Sequence, residues 1–337
     1  MTHAPVLLHE AMEALALHDG GLYLDATFGG GGYSRAMLER ADCRVLAIDR
    51  DPDAIARAAP LAAEFQNRFT IKEGRFSDLE TFAGEINGTE MIEGAVFDLG
   101  VSSFQFDEAA RGFSFQADAE LDMRMDKHGP SAADAVNRLS ETALAELIYR
   151  YGEDDDSRRI ARGLVQARAA HAITRTAELA DIVERAVGGR KGARTHPATK
   201  TFQALRILVN DELGELARGL CAAERVLKPG GRLVVVAFHS LEDRLVKNFI
   251  TERADARGRG SRYAPDLPAS DPSRRAPSFS LERRRSTVPG DAEIAANPRA
   301  RSASLRWAER TDAPAWGELE SQILAPLAEA EWARIAP

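Results

Sequence analysis

Three aspartates each close a short apolar run: Asp25 after Leu22-Tyr23-Leu24, Asp49 after Val45-Leu46-Ala47-Ile48, and Asp98 after Ala95-Val96-Phe97. Four consecutive glycines, Gly29 to Gly32, follow the first of these runs and precede a helical pattern through Ala36, Met37 and Leu38. Apolar runs of this length, each ending on a polar residue and a break, read as buried parallel strands. Parallel sheets bind ligands outside the carboxyl ends of their strands, so the three carboxylates would share one rim. Such a rim can accept hydrogen bonds from hydroxyls and can hold a cation. The glycines let the chain turn sharply with positive φ and leave room for a ligand. The helix start behind them offers N–H groups to a negatively charged group.

Spacing narrows the ligand. Asp49 follows the glycine turn by about 20 residues, the separation at which an acidic residue meets a ribose in nucleotide-binding sheets. The dinucleotide pattern G-x-G-x-x-G fails in both registers, because Ser34 and Arg35 stand where its third glycine belongs. That weakens a pyrophosphate ligand. S-adenosylmethionine has an adenosine and no pyrophosphate, and Asp25 would lie near its ammonium group. The competing reading is an ordinary glycine-rich connection between a strand and a helix.

Positioning these groups takes an alternation of strands and helices. A helix over Glu10 to Leu17 precedes the first strand, and Asp51-Pro52 opens the helix after the second, with proline in its first turn. Phe69 to Lys72 forms a third strand, followed by Phe76, which either stacks on an adenine or belongs to the core. From Asp107 onward short strands stop, and helical patterns cover 132–137, 141–151, 157–170 and 177–187. The segment 107–197 is therefore expected as a helical insert, with 1–106 and 198–337 forming one discontinuous sheet domain. A long amphipathic stretch over 201–227, a tight turn at Lys228-Pro229-Gly230-Gly231 and a strand over 232–238 bring the sheet back. At its end stands His239-Ser240-Leu241-Glu242-Asp243. Ser240 is expected to cap the next helix in a box completed by Asp243, while His239 is placed to face the rim.

Basic residues gather in two places. Gly188 to Lys200 holds Arg190, Lys191, Arg194, His196 and Lys200 with no acidic residue, and reads either as a phosphate-contacting loop or as a solvated connection. The Arg-, Pro- and Ser-rich stretch 253–285, interleaved with Tyr263 and Phe279, suits an arm that contacts RNA or a plain linker. A last strand is expected over 303–308, and a helical tail over 316–335. The chain of 337 residues has 44 basic and 52 acidic residues, a net charge of −8. This argues against a protein that coats nucleic acid non-specifically, so any RNA contact must come from local patches. Two cysteines, Cys43 and Cys221, make neither a disulfide framework nor a metal cluster, and no metal is expected. No signal peptide or membrane span is legible, and a cytoplasmic protein is expected.

Longer motifs then carry a resemblance. His3-Ala4-Pro5-Val6-Leu7-Leu8, Asp25-Ala26-Thr27-Phe28-Gly29-Gly30-Gly31-Gly32, Ala47-Ile48-Asp49-Arg50-Asp51-Pro52 and Asp98-Leu99-Gly100-Val101-Ser102-Ser103 appear in that order. Gly112-Phe113-Ser114-Phe115, Leu121-Asp122-Met123-Arg124-Met125-Asp126, the run His196 to Ile207, Phe238 to Arg244 and Asn297 to Ser302 follow. The chain resembles the bacterial 16S ribosomal RNA (cytosine-N4)-methyltransferase family along nearly its whole length. The resemblance implies a Rossmann-like methyltransferase sheet with an inserted helical substrate-recognition domain. It implies an enzyme that uses S-adenosylmethionine to methylate the exocyclic N4 of one cytidine in the decoding region of 16S rRNA, on the small ribosomal subunit. Its cofactor-contacting positions map onto Gly31, Gly32, Tyr33, Asp49, Phe76, Asp98 and Gln105. Two departures stand out: Tyr33 where many relatives have His, and Ala119-Glu120 where relatives often have Gly-Pro. Arg194, His196, Lys200 and Arg206 are candidates to contact the substrate. Amino-methyltransferases often follow their acidic or amide residue with two prolines and an aromatic. Here Asp98 is followed by Leu99-Gly100-Val101, so the N4 acceptor is not assigned by motif, and Ser102, Ser103 and His239 are the candidates. Monomer and homodimer both remain open.

Overall fold

The computed structural model describes residues 5–88, 91–190, 192, 195–254, 275–282, 285–319 and 325–336. It divides into two compact units, one of Met1–Gly100 with Glu215–Ser321, the other of Val101–Gly214 with Gln322–Pro337.

The first unit is built on a seven-stranded sheet in the order β3-β2-β1-β4-β5-β7-β6. The strands are β1 (Leu22–Asp25), β2 (Arg44–Asp49), β3 (Phe69–Glu73), β4 (Ile92–Asp98), β5 (Leu227–Ala237), β6 (Phe279–Ser280) and β7 (Ser304–Arg310). The first five are parallel, while β7 runs antiparallel to β5 and β6 to β7. All four residues of β1 and the central residues of β2 and β4 are buried. This is why these strands read as unbroken apolar runs and not as alternation. The helices of this unit are α1 (Leu8–Leu15), α2 (Gly32–Arg40), α3 (Pro52–Arg57), α4 (Ala59–Phe65) and α5 (Leu79–Asn87), which precede and intervene between the first strands.

The second unit is helical: α6 (Ser103–Asp107), α7 (Ala132–Arg138), α8 (Glu141–Gly152), α9 (Ser157–Arg168), α10 (Thr176–Val187) and α11 (Ala198–Asn210). The amphipathic stretch expected over 201–227 is two helices, because Asp211 adopts a left-handed conformation, φ 49°, that ends α11. The second of them, α12 (Glu212–Val226), lies from Glu215 onward in the sheet unit, joined there by α13 (Ser240–Ala254) and α14 (Asp291–Ala296).

The units divide at other positions than 107 and 197. The buried face of α11, with Phe202, Leu205 and Leu208, packs on α8. Gly152 makes the approach possible, since a Cβ there would stand 2.7 Å from the Lys200 carbonyl. The C-terminal helix α15 (Pro326–Ile335) also docks on α8: Ser140 Oγ donates to Glu331 at 2.7 Å, and Glu146 accepts the Leu327 and Ala328 amides. Of the helical tail expected from 316, this is the part that is helix among the described residues.

The turn expected at Lys228 to Gly231 is an irregularity within β5. Pairing with β4 jumps from Ile92–Leu227 to Gly94–Arg232. Gly231 fits because a Cβ would approach the Lys228, Glu93 and Ile92 carbonyls at 2.9–3.1 Å. Among the described residues, no helix is long and apolar enough to cross a membrane.

Candidate cofactor and active site

Asp25, Asp49 and Asp98 are the last residues of β1, β2 and β4, so the sheet brings them to one rim as expected. Their roles separate once their partners are traced. Asp25 is fully buried and turned inward. Its Oδ2 accepts from the Ser34 amide at 3.1 Å and the Ser34 hydroxyl at 2.7 Å, and its Oδ1 accepts from the Thr27 amide at 3.3 Å. It braces the glycine turn from beneath.

Asp49 holds the same turn from the other side. One carboxylate oxygen accepts from the Gly29 amide at 2.7 Å and the other from the Asp51 amide at 2.8 Å. Each oxygen keeps lone-pair capacity on a side chain that is only half-buried. Asp98 donates its amide to Thr27 Oγ1 at 2.6 Å, while its buried Oδ1 has no hydrogen-bond partner among the described residues. A buried acceptor left without a donor is costly, on the order of 1–3 kcal/mol, so such an atom marks a place for a ligand donor.

Burial raises the pKa of all three carboxyls. For Asp98, Asp25 and Glu242 push in the same direction. Asp25 is pushed up to about 6, burial outweighing its hydrogen bonds to Ser34 and Thr27. An acid whose folded pKa is raised favours folding while protonated, so its contribution is present below about pH 4 and lost as pH rises through about 6. The unfolding free energy of the wild type minus that of Asp25→Asn should therefore fall by about 3 kcal/mol between pH 4 and 7. Urea unfolding of both proteins across that range measures it, and a flat difference contradicts the assignment.

The glycine turn is built for close approach. Gly31 has φ 77°, and a Cβ on it would strike the Phe28 ring at 2.7 Å. A Cβ on Gly32 would meet Pro5 Cγ at 2.2 Å. The amides of Gly32 and Tyr33 stand in the first turn of α2, where a helix has no internal acceptor for them. The Tyr33 side chain points away from the ligand side of the turn. It is buried, and its hydroxyl donates to the Val6 carbonyl. Tyr33 thus ties the segment after Pro5 over the turn, and Glu293 in α14 accepts the Leu7 amide at 2.7 Å. Two distant motifs, Pro5-Val6-Leu7 and the region before Asn297, meet at the glycine turn through these contacts.

Phe76 is half-buried. Its ring packs edge-on against Phe97, centroids 5.6 Å apart, and against Gly219 of α12, where a Cβ would stand 2.5 Å from the ring. Core contacts thus fix a ring that remains partly exposed.

His239 departs from its expected surroundings. The helix α13 begins at Ser240, so His239 is the residue before it. Glu242 Oε2 accepts the Phe238 and His239 amides at 2.8 and 3.2 Å, and His239 Nδ1 accepts the Glu242 amide at 3.4 Å. The capping pair is therefore His239 with Glu242, and not Ser240 with Asp243. Asp243 instead binds Arg306 through both oxygens and accepts from Ser304 Oγ at 2.6 Å. With Nδ1 accepting, a neutral ring carries its proton on Nε2, which lies 3.1 Å from Glu242 Oε1. That contact lacks hydrogen-bond geometry, so the buried Nε2 has no hydrogen-bond partner among the described residues.

The remaining candidates lie in the helical unit. Ser102 caps α6: its Oγ accepts the Gln105 amide at 3.2 Å, and Gln105 Oε1 accepts the Ser102 amide at 3.0 Å. Ser103 is the first residue of α6. His196 is largely buried, with Nε2 2.9 Å from Glu184, Nδ1 accepting from Ala198, and its ring 4.8 Å from that of Phe115. Lys200 donates to the Glu153 carbonyl at 2.8 Å, and Arg206 grips Glu212 with two hydrogen bonds. These three are engaged in the architecture of their own unit. Arg194 lies outside the described residues, as do 255–274, 283 and 284, which make up most of the Arg-rich arm. Arg253, read as the start of that arm, is buried: its Nε donates to Glu224 Oε2 at 2.7 Å.

Four parallel strands flanking β1, an antiparallel seventh strand inserted beside the fifth, and a glycine turn after β1 define the class: this is the fold of the S-adenosylmethionine-dependent methyltransferases. The donor set fits that cofactor. It offers carboxylates for hydroxyls and for a cationic amine, first-turn amides for a carboxylate, and a pinned aromatic for a base.

The MraW methylase family model matches residues 1–311, and the chain belongs to that family. It is 56% identical to a protein of Hyphomonas neptunium named ribosomal RNA small subunit methyltransferase H, over 98% of this chain and 96% of the relative. A Rhodopseudomonas palustris protein of the same name is also 56% identical, with 93% and 92% covered. Among solved structures, an rRNA methylase from Streptococcus thermophilus aligns with 93% of this chain and 99% of its own, at 13% identity and a TM-score of 0.38.

Proposed function

We propose that this chain transfers a methyl group from S-adenosylmethionine to the exocyclic N4 of one cytidine in the decoding region of 16S rRNA. It acts on the small ribosomal subunit, in the cytoplasm. Family membership and the relatives' shared name support the reaction class. The observation that carries the cofactor reading is the buried, unpartnered Asp98 Oδ1 on a rim it shares with Asp49 and the glycine turn.

In this reading Asp49 accepts from the ribose hydroxyls, Phe76 packs on the adenine, and the backbone at Gly31, Gly32 and Tyr33 receives the carboxylate. Asp98 takes the ammonium group, and Gln105 completes the cofactor contacts. When bound, the cofactor supplies a methyl group on a sulfonium, already a good leaving group. What the chain must do is position the acceptor in line. The N4 lone pair of cytosine is conjugated into its ring, so acceptors for the two N–H groups have to localise it toward the methyl. Ser102, Ser103 and His239 are the candidates for that task. The methylated amine is strongly acidic until it loses its proton, so no strong base is required. The target base must be unpaired or flipped to be reached. The helical unit, with the 107–197 segment at its centre, serves substrate recognition.

Incubating the full chain with labelled S-adenosylmethionine and small subunits lacking the modification tests this reading. Label is expected in the rRNA of the subunit. Label confined to protein, or to free metabolites in a competing reaction, overturns it.

A further inference from the structure

The chain is acidic overall, and in the sheet unit cations are mostly spent on neighbours. Arg306 pairs with Asp243, Arg232 with Glu309, Lys228 with Glu93, Arg225 with Glu80 and Arg253 with Glu224. Lys247 on α13 and Arg285 are different. Both are exposed, and Lys247 acts on Asp243 only at a distance, helping Arg306 to hold that carboxyl low. They line the same notch, together with Ile250, Leu281, Thr287 and Trp307.

The notch is a gap in the outer edge of the sheet. Among the described residues, pairing of β6 with β7 ends at Ser280–Glu309, and the next bridge is between Thr287 and Leu305. Leu305 exchanges both backbone hydrogen bonds with Thr287, at 2.8 and 2.9 Å. Alternate residues of an antiparallel strand present their backbone to the same side, so Trp307, midway between, turns its backbone toward the gap. A backbone edge flanked by an ammonium and a guanidinium is an anion-binding arrangement.

The notch is also within reach of the reacting rim. Ser304, the first residue of β7, pairs with Ala237 at the end of β5, next to Asp98 of β4, which pairs with Val236. Trp307 lies three residues along β7, so strand rise and strand spacing put the notch roughly 15 Å from Asp98. A polynucleotide whose target base enters at the rim would pass a backbone phosphate there.

We infer that the notch between α13 and the edge of β7, with Lys247 and Arg285 as its cations, binds a backbone phosphate of the substrate RNA a few nucleotides from the target base. This rests on the rRNA methyltransferase reading, and its failure can be told apart from the failure of that reading. The experiment compares the wild type with Lys247→Ala/Arg285→Ala in methyl transfer to small subunits, over a range of salt concentrations. Both residues are exposed, so folding is spared, and calorimetry with S-adenosylmethionine alone should give equal affinities for the two proteins.

With two phosphate contacts removed, KM should rise about tenfold and the slope of log KM against log salt should drop by roughly 1–2. The kcat should stay within about twofold, and Lys247→Arg should retain the wild-type KM. Unchanged KM and salt slope in an active double variant overturn the inference while leaving the reaction intact. So does inorganic phosphate that binds the wild type and not the variant, with subunit KM equal in both, since the notch would then be a site for free phosphate. A wild type that transfers no methyl group to subunits overturns the underlying reading instead.

Discussion

Asp49→Ala is expected to weaken S-adenosylmethionine binding by about 100-fold, because hydrogen bonds to a charged acceptor contribute roughly 1.5–3 kcal/mol each. The carboxylate is asked to do two things at once. It accepts from the Gly29 and Asp51 amides, which sets the height of the glycine turn against β2, and it presents its remaining lone pairs to the ribose. Removing it releases the turn and the ribose together, so the loss should exceed that of one hydroxyl contact. Calorimetric titration with the cofactor measures it directly. Affinity within threefold of wild type would remove Asp49 from the ribose and return the spacing that nominated it to a local brace.

The largest loss of stability is expected from Glu224→Ala. Glu224 is wholly buried in α12 and gathers three separate parts of the sheet unit. It accepts from Arg253 of α13 at 2.7 Å, from the Ser278 hydroxyl, and from the Trp316 amide at 3.0 Å. Arg253 is itself buried, its guanidinium stacked 4.0 Å from the centre of the Phe249 ring. Truncating the acid leaves that buried guanidinium with the Gly317 carbonyl at 2.9 Å and the exposed Glu252 at 3.5 Å, and breaking a buried pair costs about 3–5 kcal/mol in measured cases. Urea unfolding should show a loss of unfolding free energy of that size. Glu224→Met combined with Arg253→Met should recover much of it, since a buried pair replaced whole costs far less than one broken in half. A single variant that loses under 1 kcal/mol would mean that the node is solvated in solution. The same helix carries Gly219 against Phe76, so a loosened α12 should also blunt cofactor binding.

The rim was legible because its signals are local. Asp25, Asp49 and Asp98 each end a run of apolar residues, and a parallel strand buried on both faces writes itself as such a run. The glycines announce the turn in the same way. What sequence could not show is which partner each polar group chooses across the fold. Asp243 was close enough to Ser240 to suggest a capping box, yet it is drawn to Ser304 and Arg306, some sixty residues away, and Glu242 takes its place at the helix start. Arg253 stands at the head of an arginine-rich stretch and reads as solvated, but its partner Glu224 lies on another helix. The two residues of β6 are too few for any periodicity. The position of α11 in the helical unit was hidden because an amphipathic helix does not state what its apolar face will meet. Tyr33 was the open question at the glycine turn, and its hydroxyl on the Val6 carbonyl gives it a structural role that a backbone contact to the cofactor leaves intact.

The most direct test of the central claim is to map the methyl group itself. Small subunits lacking the modification are incubated with the full chain and labelled S-adenosylmethionine, the rRNA is digested to nucleosides and fragments, and the product is identified by mass spectrometry. N4-methylcytidine is expected at a single cytidine of the decoding region. Label on a ring carbon, on a ribose hydroxyl, on another base or on a ribosomal protein would contradict it.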